Sequence, residues 1–264
     1  MKKVRHVLGL SGGKDSTALA VYMRDKEPEM EYFFSDTGAE LPETYEYLEK
    51  LEAYLGKKIV RLNPGKTFEE LLERKNGYLP SPKARWCTVT MKIIPFEQFV
   101  GDDDVISYIG IRADENRSGY ISTKPNIKPV FPFKEAGIGI KEVHEILNRS
   151  GLGLPKYYEW RSRSGCYFCF FQRKKEWMGL LERHPDLYEK SKSFEKTVGD
   201  KKFTWVEGTT LAELEKQKDD ILRRADKSRQ REELVSKNLT LFEQFSQEYP
   251  EESDDSNGCT ICEI

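Results

Sequence analysis

Apolar residues come first in short runs and later at helical spacing, and the change falls near Pro132. Val4 to Leu10, "MEYFF", "KKIVRLNP" and "VISYIGI" are brief apolar runs rich in β-branched and aromatic residues. Each closes in small, polar or charged residues, so each predicts a strand. Helical spacing lies between them: Thr17 to Arg24, "TFEELLERKN", and "PETYEYLEKLEAYLG", where Tyr45, Leu48, Leu51 and Leu55 share a face and Gly56 supplies a stop. Strands alternating with helices predict an α/β fold, a parallel sheet with helices on both faces. Ligands on such sheets bind at the carboxyl ends of the strands.

Beyond Pro132 the pattern turns helical and highly charged, in "GIGIKEVHEILNRSGLG", "KKEWMGLLERHPDLYEKSKSFEK" and "TLAELEKQKDDILRRADKSRQREELV". The chain is therefore expected to divide into an α/β domain over 1–132, a helical region over 133–250 and a tail over 251–264. That tail, "EESDDSNGCTICEI", has five acids and no base, a composition that suits a mobile segment.

Composition narrows the class. Hydrophobic residues make up 38% of the chain, and no apolar run approaches the roughly 20 residues of a membrane span. The basic start "MKKVRHVLGLSGG" superficially suits a signal peptide, but its apolar run is short and flows straight into a turn, as a first strand would. A cytoplasmic protein without a membrane partner is expected. With 43 Lys and Arg against 45 Asp and Glu, the net charge of -2 means that any nucleic-acid binding needs a local patch. Five cysteines, including two CxxC pairs, favour metal or redox chemistry over a disulfide framework.

The candidate chemistry begins at "SGGKDS", residues 11–16, between the first strand and the first helix. Exposed amides and the helix dipole at such a turn hold phosphate. Gly12 and Gly13 let the backbone approach an anion, and Lys14 adds positive charge. It is not a Walker A loop, because Leu8 and Asp15 stand where that pattern needs Gly and Ser or Thr. The plainer alternative is a glycine turn with surface charge.

Ser11, Gly12, Gly13, Lys14, Asp15 and Ser16 together resemble the PP-loop of the adenine nucleotide alpha-hydrolase superfamily. The resemblance implies that the loop holds the phosphates of ATP, that Mg2+ accompanies them, and that the bond between the alpha and beta phosphates breaks. Three further segments resemble the PAPS reductase-like branch. "SDTG" places Asp36 and Thr37 as nucleotide contacts; "RWCTVTMKIIP" carries Arg85, Cys87 and Lys92; "GIRADENR" carries Arg112 and Arg117. Planar guanidinium forks suit polyphosphate, and the resemblance implies catalytic roles for Lys14, Asp15, Arg112 and Arg117.

Cys166 and Cys169 form a CxxC, with Cys87 lying 79 residues upstream. Thiolates so spaced suit zinc or an iron–sulfur cluster. Adenylyl-sulfate reductases of this branch add a cysteine beside the first of these, but here that place belongs to Trp86. The resemblance thus implies a 4Fe-4S cluster on Cys87, Cys166 and Cys169, with zinc the alternative. Cys259 and Cys262 make a second CxxC, and three uses stay open for it: a fourth ligand, a sulfur relay, or neither.

Residues 156–175 combine Lys156, Arg161, Arg163, Arg173, Lys174 and Lys175 with seven aromatics, against Glu159 as the one acid. Two readings remain: a base-stacking surface for nucleic acid, or a basic surface over an aromatic core. Intact loop and cysteines together most resemble the ATP pyrophosphatases of bacterial DNA phosphorothioation, the DndC/SspD type. That likeness implies DNA as substrate and, as partners, a cysteine desulfurase and other phosphorothioation subunits. The alternatives are a sulfonucleotide reductase, a tRNA thiolation enzyme, and a non-enzymatic cluster-bearing nucleic-acid-binding subunit.

Overall fold

In the computed structural model, which describes residues 3–117, 122, 124–198 and 201–237, strands form where apolar residues must be covered on both faces. They are β1 (Arg5–Gly9), β2 (Glu31–Ser35), β3 (Ile59–Leu62), β4 (Val105–Tyr108) and β5 (Ile127–Val130). All pair in parallel, in the order β3-β2-β1-β4-β5. Successive side chains point to opposite faces, so each strand feeds two cores. Leu8, Tyr32, Phe34 and Ile59 pack with residues of α1 (Lys14–Met23), α2 (Pro42–Leu55) and, later in the chain, Val143 and Leu147. On the other face Val7, Phe33, Leu62, Val105 and Ile127 meet Phe96 and Val100. Phe33 stacks on Phe96 with ring centroids 4.9 Å apart, a geometry that adds about 1 kcal/mol to simple burial. Helices therefore cover both faces, as the alternating pattern requires of a parallel Rossmann-like sheet.

Helix ends follow local chemistry. Gly56 closes α2 in the left-handed conformation, φ 64°. Thr67 and Glu70 form a reciprocal capping box ahead of α3 (Phe68–Arg74). "RWCTVTMKIIP" is a continuous but uneven helical stretch: α4 (Trp86–Thr88), a π turn (Val89–Ile93) and α5 (Ile94–Val100). Pro95 has no N–H to return to the Met91 carbonyl, and a widened turn absorbs that break. After β5 come α6 (Pro132–Glu135), α7 (Ile140–Ser150) and a 3-10 turn (Lys156–Glu159). β5 is missing from the sequence expectation because Pro129 interrupts it. At the sheet edge a proline costs little, and Pro129 sits opposite Ser107.

The described residues divide into two compact units, one within 3–76 and 83–167, the other within 77–82 and 168–237. The second contains α8 (Lys174–Arg183), α9 (Pro185–Ser193), the antiparallel pair β6 (Lys196–Val198) and β7 (Lys201–Phe203), α10 (Leu211–Lys216) and α11 (Lys218–Lys237). The long helical segment expected after residue 174 is broken at His184, because Pro185 begins a new helix. Aromatic packing builds this unit's core: Trp205 stacks on Phe168 at 5.3 Å, and its Nε1 donates to the Ser191 carbonyl at 2.9 Å. Among the described residues no helix is long and apolar enough to cross a membrane.

Candidate active site

Three loops meet at the carboxyl ends of β1, β2 and β4, the strands at the centre of the sheet. The first is the glycine turn. Gly12 has φ 71°, and a Cβ placed on it would lie 2.7 Å from the Thr44 Cγ2. A Cβ on Gly13 would lie 2.8 Å from the Ser164 Oγ. Gly12 therefore requires glycine, and any side chain at position 13 would press on Ser164. Ser11, Ser16 and Ser164 join hydroxyls: Ser11 Oγ lies 3.1 Å from Ser16 Oγ, and Ser164 Oγ donates to Ser11 Oγ at 3.1 Å. α1 begins at Lys14 itself, three residues before the expected start. Its N-cap, Gly13, offers no side chain to the first amides, so the positive end of the helix is aimed into the turn.

Charge is concentrated beside it. Asp15 is buried, with its carboxylate 2.9 Å from Arg112 Nη1 and 3.5 Å from Lys14 Nζ. Arg112 also contacts Asp114 at 2.8 Å and Glu115 at 2.7 Å. Burial works against this guanidinium's charge, but Asp15 and Glu115 outweigh it and raise the pKa above the ordinary arginine value. Asp114 is fixed in turn by accepting from the Ile140 amide at 3.0 Å. Arg117 pairs with Glu115. Gly110 permits this crossing, since a Cβ there would sit 3.2 Å from the Asp15 carbonyl.

The β2 loop is organised around an acid that sequence reading missed. Glu40 is 7% exposed, and its carboxylate accepts from Thr37 Oγ1 at 2.7 Å, the Ala39 amide at 3.2 Å and the Tyr45 hydroxyl at 3.2 Å. Burial pushes its pKa up; Lys92 and the Thr37 hydrogen bond oppose that, and Asp36 reinforces it. Asp36 accepts from Tyr45 at 2.8 Å and from the Gly38 amide at 3.0 Å. Glu40 and Lys92 line a cleft with Leu10, Ser11, Phe34, Ser35 and Gly165. The Ser35 hydroxyl is buried there without a partner, which is what a ligand-binding wall leaves behind.

The segment 157–167 closes the site over the glycine turn. Tyr157, fully buried, donates its hydroxyl to the Gly12 carbonyl at 2.7 Å, and the Lys14 amide donates to the Tyr158 hydroxyl at 3.2 Å. Arg161 is 2% exposed and donates to the carbonyls of Gly165 at 3.1 Å and Cys166 at 2.8 Å. The Tyr167 amide donates to the Ala39 carbonyl at 2.8 Å. Of the two readings of this stretch, these contacts suit an aromatic core under a basic surface. Tyr157, Tyr167, Phe168 and Phe171 are buried, and Arg161 braces a turn rather than facing solvent.

Cys87, Cys166 and Cys169 are partly buried thiols that form no disulfide. Cys166 Sγ lies 3.3 Å from Thr37 Oγ1 and 4.0 Å from Glu40. Cys87 Sγ lies 4.0 Å from its neighbour Thr88 Oγ1. Among the described residues, no three His, Cys, Asp or Glu side chains group to hold a metal ion. Cys259 and Cys262, with the rest of the acidic tail, lie outside the described residues.

Residues 5–131 match the phosphoadenosine phosphosulfate reductase domain family. The full-length relatives it resembles are uncharacterised proteins. Two come from Methanocaldococcus jannaschii: one is 30% identical over 198 residues, 70% of this chain and 40% of that protein; the other is 27% identical over 191 residues, 68% and 45%. The chain thus spans less than half the length of either. A 37.8 kDa protein from the gpa 5' region of Escherichia phage 186 is 24% identical over 73% of this chain and 75% of its own. A crystal structure of phosphoadenylyl-sulfate reductase from Candida auris, in complex with phosphate, superposes with TM-score 0.49 at 14% identity, covering 62% of this chain and 82% of that one.

Proposed function

We propose that this protein is an ATP pyrophosphatase, which splits ATP between its alpha and beta phosphates and transfers AMP to an acceptor that then receives sulfur. The observation that carries this reading is the intact glycine turn with a helix amino end whose N-cap, Gly13, has no side chain to occupy it, flanked by Lys14 and Arg112 at the centre of the sheet. Helix amides and Lys14 hold the leaving pyrophosphate, where negative charge accumulates. Arg112, poised on Asp15, steadies the transferring alpha phosphate. The ATP enters as its Mg2+ complex, so the metal is part of the substrate. The acceptor we favour is a DNA backbone phosphate, already anionic and in need of no general base; a cysteine desulfurase would supply the sulfur.

The test is release of pyrophosphate and AMP from ATP, with DNA and a desulfurase present. Lys14→Ala is expected to abolish both, and normal turnover by that variant would refute the loop assignment. The domain match favours one second reading, reduction of an adenylyl sulfate. Sulfite release from that compound with thioredoxin, in the absence of ATP cleavage, would select it.

A further inference from the structure

The first amide of α1 is one of the orphan donors of a helix amino end. In this molecule it is not left to water. Lys14 N–H donates to the phenol of Tyr158 at 3.2 Å, across 144 residues of chain. The choice of group is informative. A carboxylate at that point would cap the amide and repel a phosphate, whereas a tyrosine hydroxyl accepts a hydrogen bond and also carries a proton to donate.

Tyr158 is also held in register with the glycine turn. Its ring stacks on Tyr157 at 5.0 Å and 28°, and Tyr157 is anchored through its hydroxyl to the Gly12 carbonyl at 2.7 Å. The Lys14 ammonium stands 5.4 Å from the centre of the Tyr158 ring, near enough for a cation–π contact. The same phenol thus contacts both the amide and the side chain of the turn's one lysine. Independently, Ser35 lines the same cleft as Ser11, and its buried hydroxyl has no hydrogen-bond partner.

We propose that Tyr158 is a phosphate-binding residue: when a polyphosphate takes the Lys14 amide, the Tyr158 hydroxyl turns from acceptor to donor and hydrogen-bonds the bound phosphate. This inference rests on the reading of the turn as a phosphate site, and it extends that site to a residue outside the α/β motif. The ligand class is a di- or triphosphate chain.

The test is titration calorimetry of the full chain with inorganic pyrophosphate, comparing the unaltered protein with Tyr158→Phe. Phenylalanine keeps the stack on Tyr157 and the ring beneath Lys14, and removes only the hydroxyl. Pyrophosphate affinity is expected to fall about tenfold or more, the usual worth of a hydrogen bond to a charged group, at an unchanged melting temperature. Equal or tighter binding by Tyr158→Phe would overturn the proposal, leaving the hydroxyl as a mere occupant of the amide. A loss of affinity matched by a drop in melting temperature would also overturn it, as a structural effect. If the unaltered protein fails to bind pyrophosphate, the reading of the turn itself falls, an outcome distinct from the other two.

Discussion

The two ends of the central sheet are built on opposite plans. At the amino ends of the strands, Arg5 reaches Glu31 through two nitrogens at 2.9 and 2.8 Å and Asp103 at 3.3 Å, and Asn126 donates to the Gly101 and Asp103 carbonyls. Opposite charges are matched there and backbone groups are tied off. At the carboxyl ends, Arg112 is shared among three carboxylates, Glu40 is buried with its pKa raised, and the Ser35 hydroxyl has no partner. One end resolves its polar groups within the fold. The other keeps them under tension, the arrangement expected where a ligand completes the structure.

The contrast can be broken by substitution at either end. Of the substitutions that set one end against the other, Gly12→Ala has the largest expected effect. Alanine there must hold φ 71° while its methyl meets Thr44, and displacement of the turn by about 1 Å is expected to cut pyrophosphate release about a hundredfold. Next, Arg5→Ala is expected to lower stability in denaturant by about 1 kcal/mol, the value for a partly exposed ion pair of good geometry, and to leave ATP turnover intact. If Arg5→Ala instead depressed turnover as deeply as Gly12→Ala, the two ends would not divide their labour as described.

The smallest effect is one of slope. Because Glu40 has a raised pKa in the fold, the folded state holds its proton more tightly than the unfolded state does. Its contribution is fully present below the unfolded value, about 4.3, and is lost as pH rises through the folded value. Glu40→Gln should remove that decline, so the stability difference between pH 5 and pH 8 should shrink relative to the unaltered protein. Equal slopes in the two proteins would show that Glu40 does not titrate in this way.

Much of the first unit was legible because strand and helix signals there are periodic and local. β1 to β4, α2 and α3 fall where apolar runs and stop residues put them, and "SGGKDS" stands at a strand end. What was not legible depended on distant partners. Nothing in "DTGAELPE" distinguishes Glu40 from a solvated surface acid; only Lys92, Tyr45 and the closing of the 165–167 turn over it do so. Tyr157 and Tyr158 read as candidate base-stackers because their true neighbours, Gly12 and Lys14, lie 145 and 144 residues away. The β6–β7 pair was missed for a different reason: "KTV" and "KKF" are short and lysine-rich, without the alternation that marks a strand.

Tyr158 marks one fixed point and Cys166 another. The first is pinned at the amide of Lys14, the second beside Thr37, with Ser164 pinned to Ser11 between them. The nine residues from Tyr158 to Cys166 therefore act as a ruler between the glycine turn and the thiol. A ruler tolerates changes of side chain far better than changes of length. Inserting or deleting a single residue between Tyr158 and Ser164 would put the two ends out of step while sparing every residue named in the site.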